Sequence, residues 1–127
     1  MKWIPIKGDG FITDSAIVTR IIGRGSKSDV TIGFPGWGYY NDTIAYMPLP
    51  RPVNEDRRGW KSEYWGNEPP KKPGRYIVQI QGIKVGRQEV TRIAEAYYDR
   101  EKGRWLWIPD GYETIAWRNF PKPYQPN

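Results

Sequence analysis

The chain contains no cysteine and no histidine among its 127 residues. Without cysteine no disulfide can staple it, and nothing ties it to an oxidising compartment. Without either residue it cannot build a zinc site of the usual kind, which leaves only hard cations held by oxygen ligands. Cys-His and Ser-His-Asp machinery and a histidine general base fall away together. Long apolar runs are missing too. The opening Met1-Lys2-Trp3-Ile4-Pro5-Ile6-Lys7 lacks the apolar core of a signal peptide. No segment approaches the roughly 20 apolar residues of a membrane-spanning helix. The expectation is a soluble, cytoplasmic protein with no membrane contact, no cofactor and no metal.

Aromatic residues are present in excess, at 15% with seven Trp and nine Tyr, which is more than a disordered chain would carry. Their large buried area lets a short chain stabilise a core. Their number leaves some for a surface, where Trp and Tyr are favoured contact residues. The formal charge of +6 favours an anionic partner, although many small proteins are basic for solubility alone.

The chain writes one passage twice. Asp42-Thr43-Ile44-Ala45-Tyr46-Met47-Pro48-Leu49-Pro50-Arg51-Pro52 returns as Glu113-Thr114-Ile115-Ala116-Trp117-Arg118-Asn119-Phe120-Pro121-Lys122-Pro123. Acid, Thr, Ile, Ala and aromatic keep their order, as do the closing Pro-base-Pro residues. A tandem repeat of this kind sets the architecture. Two related units are expected, a shortened one over 1–52 and a fuller one over 60–127, joined through 53–66. The closing passages are offset by 71 residues and the opening Trp3 and Trp60 by 57, so the second unit is the longer.

Both units read as mainly β, as small related antiparallel sheets in tandem that could join, with an α+β fold as the alternative. Ala16 to Ile22 is β-branched and apolar, a buried strand. Asp29 to Phe34 follows, with Val30, Ile32 and Phe34 on one face. Thr43 to Met47 closes the unit, since the prolines after it cannot continue a ladder. The join offers a helical turn or two. In the second unit Arg75 to Gln81 places Tyr76, Val78 and Ile80 on one side. Glu89 to Tyr98 suits a strand but would tolerate a helix. Asp99 to Gly103 forms a hairpin loop whose glycine takes the left-handed position. Arg104 to Ile108 returns with Trp105 and Trp107 on one face, and Thr114 to Trp117 is last. Exposed sheet edges in such units favour pairing with another chain, hence a homo-oligomer.

The second unit resembles a small domain family of unassigned function, widespread in phage and prophage proteins. The matching residues are Trp60, Pro73-Gly74, Tyr76 to Ile80, Ala96-Tyr97-Tyr98-Asp99, Trp105 and the close from Thr114 to Pro123. The first unit keeps Trp3 and the close from Ile44 to Pro52. The family's usual His before the closing Trp is Ala45 and Ala116 here. The resemblance implies a phage or prophage origin, in an infected or lysogenic bacterial host, and a small β-rich domain. It transfers no activity.

Three constellations could hold a ligand. Gly23-Arg24-Gly25-Ser26-Lys27-Ser28 is a basic loop whose backbone could meet phosphate, with Arg24 and Lys27 as its charges, though it lacks P-loop order. The competing reading is an ordinary solvated hairpin loop. Pro35-Gly36-Trp37-Gly38-Tyr39-Tyr40 offers Trp37, Tyr39 and Tyr40 as a stacking platform, or else as core anchors. The join places Arg57 and Arg58 beside Tyr64 and Trp65, with Lys71 and Lys72 nearby, a mixture typical of nucleotide or single-strand surfaces. Its structural alternative makes Trp60 core and pairs Arg57 with Glu55 or Asp56. The carboxylates are scattered through turns and strand ends, so no acid/base pair can be placed and an enzyme is not expected.

The function expected is that of a phage-borne, non-enzymatic binding protein that counteracts a bacterial defence system. It would sequester an anionic nucleotide signal or dock on a defence protein. The alternative is a nucleic-acid-binding accessory.

Overall fold

A computed structural model describes residues 2–22, 27–38, 42–82 and 91–125. Its described residues form two separate four-stranded antiparallel sheets, which share no ladder. Strands β1 (Ile4–Pro5), β2 (Ala16–Ile22), β3 (Lys27–Gly33) and β4 (Thr43–Pro48) build the first, in the order β1-β4-β2-β3. Strands β5 (Gly74–Gly82), β6 (Thr91–Asp99), β7 (Arg104–Leu106) and β8 (Tyr112–Arg118) build the second, in the order β7-β6-β5-β8. The β-rich expectation therefore holds; of the segment that would have tolerated a helix, Thr91 to Tyr98 lie in strand β6, and Glu89 and Val90 lie outside the described residues.

The repeat extends to the register. In the first sheet β2 lies between β3 and β4; in the second β5 lies between β6 and β8. Val18 pairs with Tyr46 as Val78 pairs with Trp117, and Thr19 with Ala45 as Gln79 with Ala116. Each closing strand then skips one residue, because Arg20 pairs with Thr43 and Ile80 with Thr114. Ile44 and Ile115 are thus the extra residues of matching β-bulges, which bend the strand and sharpen its twist. The outer edge is kept as well. Ile4 pairs with Tyr46 in β1, while Lys61 makes an isolated antiparallel bridge to Trp117. The added piece in the second unit is β7, on the far side of β6.

Alternation on the central strands builds each core. Ile12, Ala16 and Val18 form the buried cluster of the first unit, with Ile6, Trp37 and Tyr46 packed against it. Tyr76, Val78, Ile80, Ala96, Tyr98 and Trp117 form that of the second. There the aromatics meet edge-on: Tyr76 lies 5.3 Å from Trp117 and 5.8 Å from Trp105, and Tyr98 lies 5.0 Å from Trp105. Such pairs add about 0.5–1.5 kcal/mol each beyond their buried area. The opposite faces of β2 and β5 are buried too, and they hold a polar side chain apiece, Thr19 and Gln79.

Two strand readings need correction. The strand at Asp29–Phe34 ends at Gly33, and Phe34 turns outward to 58% exposure instead of joining Val30 and Ile32. The return strand of the second hairpin ends at Leu106. Trp107 enters the left-handed region at φ 68° and is 59% exposed, while Trp105 and Ile108 pack on the core. A single left-handed residue breaks the two-residue period, so Trp105 and Trp107 do not share a face.

The compact units are Met1–Pro50 with Pro121–Asn127, and Arg51–Phe120. They depart from chain order at their ends, for a reason visible in the hydrogen bonds. The Trp60 indole N–H donates to the Arg51 carbonyl (2.9 Å), and the Trp3 indole N–H donates to the Lys122 carbonyl (3.1 Å). Arg51-Pro52 and Pro121-Lys122-Pro123 therefore each belong to the unit whose closing strand does not precede them.

Candidate functional site

The join condenses into one 3-10 turn, Glu63–Trp65, in the second unit. Ser62 caps it, accepting from the Tyr64 N–H, and Gly66 ends it in the left-handed region at φ 87°. The Ser62 hydroxyl also donates to the Ile115 carbonyl, so the turn is fastened at the bulge of β8. Fixed in this way, the segment after it walls a cleft of about 450 Å³. Lys61, Lys71 and Lys72 line it together with Asn67, Asn119 and Trp117, and Glu68 is the one carboxylate among its walls. The Tyr76 hydroxyl donates to the Lys72 carbonyl (2.7 Å) and holds the lysine loop against the sheet. Burial raises the Tyr76 hydroxyl above the usual tyrosine range, so it stays protonated as that donor.

The electrostatics of the cleft are positive. Lys71 and Lys72 are exposed, and the Lys61 ammonium lies 5.2 Å from the centre of the Trp117 ring. Trp117 is 6% exposed, and its indole N–H has no partner among the described protein atoms. A second cavity, of about 390 Å³, presents Tyr64, Glu63, Ser62 and Trp105, with no basic residue in its lining. A third, about 160 Å³ in the first unit, is lined by Asp14 and apolar residues such as Ile12 and Leu49. Among the described residues no group of three or more acidic side chains is placed to hold a metal ion.

The other candidates separate. Arg57 stacks over the Trp65 ring at 3.9 Å, with Trp65 37% exposed. The acid-base pair of the join is made by the next residue instead of Arg57. Arg58 grips Asp56 through two side-chain bonds of 3.0 Å, which hold the Asp56 carboxyl down at about 2. The Tyr64 hydroxyl donates to Glu113 (3.1 Å), and that carboxylate raises its pKa. Trp60 is core, 5% exposed, with the Arg118 guanidinium 5.2 Å from its ring centre.

In the first unit Lys27 opens β3 and is exposed. Trp37 takes the core side of its two readings: half-buried against the cluster, it has Phe34 edge-on at 5.9 Å and Arg20 over it at 5.8 Å. Arg24, Tyr39 and Tyr40 lie outside the described residues.

Of the sequence candidates, then, the cleft unites Lys71 and Lys72. It adds Lys61, Asn67, Asn119 and Trp117, which motif reading did not single out as a site. Lys61 carried a signal, since it stands at the position of Ile4 in the repeat, where a base replaces an apolar residue. Comparison with protein-family models, with curated proteins and with solved structures finds no significant match.

Proposed function

We propose that the chain is a phage-borne, non-enzymatic binding protein that sequesters a small anionic nucleotide and so blunts a bacterial defence signal. The supporting observation is the cleft of about 450 Å³ that gathers Lys61, Lys71 and Lys72 beside Trp117. Its size suits a small ligand, since such pockets run from about 300 to 1,000 Å³. Lysines supply charge for phosphates and the two asparagines supply donors and acceptors for a base or sugar. Binding alone is the activity assigned.

Isothermal titration against mono-, di- and cyclic nucleotides tests the reading. Saturable binding is expected, weakened at least tenfold by Lys71→Ala with Lys72→Ala, and with a shallow dependence on salt. A steep slope over many phosphates would instead mark a nucleic-acid binder. Absence of binding to any nucleotide, with the protein folded, removes the proposal. Plating efficiency of phage on a host with a nucleotide-signalling defence tests the biological half separately.

Docking on a defence protein is the second reading, favoured by Arg57 stacked on the partly exposed Trp65. Stacked Arg and Trp side chains are common anchors of protein interfaces. Co-purification of one host protein, lost in Trp65→Ala and retained in the lysine variant, would decide for it.

A further inference from the structure

The cavity of about 390 Å³ lies in the same compact unit as the lysine cleft, and Trp117 is a wall of both. Backbone bonds fix this partition. Lys61 donates its N–H to the Trp117 carbonyl (2.9 Å), and Trp117 donates its own to the Lys61 carbonyl (2.8 Å). Lys61 lines the cleft, and Ser62, the next residue, lines the cavity.

The two hollows differ in chemistry. No basic side chain is among the described residues that line the cavity, and Glu63 gives it a carboxylate. Its walls are aromatic: Tyr64, Tyr98, Trp105 and Trp117. The hydroxyls of Ser62 and Tyr64 are committed, to Ile115 and Glu113. Two other polar groups of the lining are not. The Trp117 indole N–H and the Thr114 hydroxyl are buried with no partner among the described protein atoms. Folded proteins rarely leave such groups unpaired. Thr43, the repeat equivalent of Thr114, also has an unpaired hydroxyl, so that feature alone does not mark a ligand. The Trp117 N–H has no such counterpart, because the equivalent residue is Tyr46.

These groups select a ligand. A phosphate meets repulsion from Glu63 and no base to offset it. A cation leaves the Trp117 N–H without an acceptor. A flat, uncharged ring with both acceptors and N–H donors on its edge satisfies the Trp117 N–H, the Thr114 hydroxyl and the Glu63 carboxylate together. It also stacks on aromatic walls, as every nucleobase can. We infer that this cavity is the base pocket of the nucleotide site, holding the neutral heterocycle while the phosphates lie among the lysines across the Trp117 partition. The inference rests on the nucleotide reading for its phosphate half. A nucleotide divides as the two hollows do, into an anion and a neutral aromatic ring with hydrogen-bonding edges.

Probes that carry one half each test it. Trp105 lines the cavity and not the cleft, so its indole N–H resonance is the local reporter. Adenosine, guanosine, cytidine and uridine, which have no phosphate, are titrated separately into the wild-type chain by NMR. At least one should move the Trp105 resonance saturably, with an affinity that Lys71→Ala with Lys72→Ala leaves unchanged. Inorganic pyrophosphate, which has no base, should leave that resonance in place. Thr114→Val should weaken nucleoside binding about twofold to tenfold, the worth of one net hydrogen bond. Its urea midpoint should stay or rise, because an unpaired buried hydroxyl has gone. Thr43→Val, the same change in the first unit, should leave binding unaltered. A Trp105 resonance unmoved by all four nucleosides overturns the inference, with no variant required to fold. Ribose moving it as strongly also overturns it, by marking a sugar site. The two readings fail separately. Nucleotides bound through the lysines with Trp105 silent remove the base pocket and keep the nucleotide reading. Nucleosides bound as tightly as their nucleotides keep the pocket and remove the role of the lysines.

Discussion

Ile44 and Ile115 occupy one structural position twice: each is the residue its closing strand leaves unpaired, and each has its carbonyl taken by a donor from the segment that opens its unit. Ile6 donates its backbone N–H to Ile44 (2.8 Å), and Ser62 donates its hydroxyl to Ile115. A bulge exposes a carbonyl that the ladder would otherwise have used, and an unpaired buried carbonyl is costly. The opening segment therefore has a defined place to end, which is why the Trp that starts each unit and the Thr-Ile-Ala that closes it recur together.

The alanine after each bulge should be intolerant of size. Ala45 is 0% exposed and Ala116 1%, each opposite the buried polar residue of a central strand. Ala45→Leu and Ala116→Leu should each lower stability by about 1–3 kcal/mol through overpacking, read from urea midpoints. A neutral result at either would mean that the bulge leaves free volume beside it.

Gly59 and Gly66 separate backbone strain from contact. Both have positive φ, at 83° and 87°. A Cβ at Gly59 would lie 2.6 Å from an Arg118 guanidinium nitrogen, whereas one at Gly66 would meet nothing within 4 Å. Gly66→Ala should cost only the left-handed backbone term, about 1 kcal/mol. Gly59→Ala should cost more, because Arg118 must also leave its place over Trp60. Thermal melts of the two variants and of Gly59→Ala with Arg118→Ala decide it. Equal losses for the single variants would show that Arg118 swings away freely.

Much of this fold was legible because the repeat is written in residue types that mean something locally. β-Branched runs became β2 and β5, Asp99 to Gly103 became a turn with Gly103 at φ 63°, and the first closing strand ended at a proline, Pro48. Tyr76, Val78 and Ile80 share the core face their alternation predicts. Trp107 was not legible, because nothing in Arg-Trp-Leu-Trp-Ile announces a left-handed residue. The choice of Arg58 over Arg57 was also hidden, since neighbouring identical bases differ only in the direction their backbone gives them. The cleft drew on residues distant in sequence: Lys61, Lys72 and Asn119 meet only once the sheet forms. The buried Thr19 and Gln79 did carry a signal, as polar residues inside runs otherwise apolar.

Asp56 gives a prediction in pH. Its carboxyl is lowered from 3.8 to about 2, first by the side-chain bond from Arg58. A depressed folded pKa means that the stabilisation is present above the unfolded value and lost as pH falls from about 3.8 through about 2. Carbon-detected NMR titration should place the Asp56 carboxyl near 2 and move it back toward 3.8 in Arg58→Ala. High salt should also weaken the shift, since Arg58 is 92% exposed. An Asp56 pKa that ignores Arg58 would show that the pair does not persist in solution.

Trp105 and Trp107, two residues apart, should respond oppositely to removal. Trp105 packs edge-on against Tyr76 and Tyr98, so Trp105→Ala should cost about 3–5 kcal/mol. Trp107 is exposed, holds a left-handed backbone at φ 68° and touches Tyr97 with ring centres 5.6 Å apart. Losing that ring pair costs about 0.5–1.5 kcal/mol. Relieving a left-handed non-glycine residue returns about 1–3 kcal/mol. Trp107→Gly should therefore leave stability unchanged or raise it, in denaturant melts run beside the parent. A loss above about 2 kcal/mol would mean that the Trp107 ring is held by more than Tyr97, and that its exposure overstates its freedom. Iodide quenching checks the same point without a fold-dependent readout, because the Trp107 share of the fluorescence should be quenched first and disappear in the glycine variant.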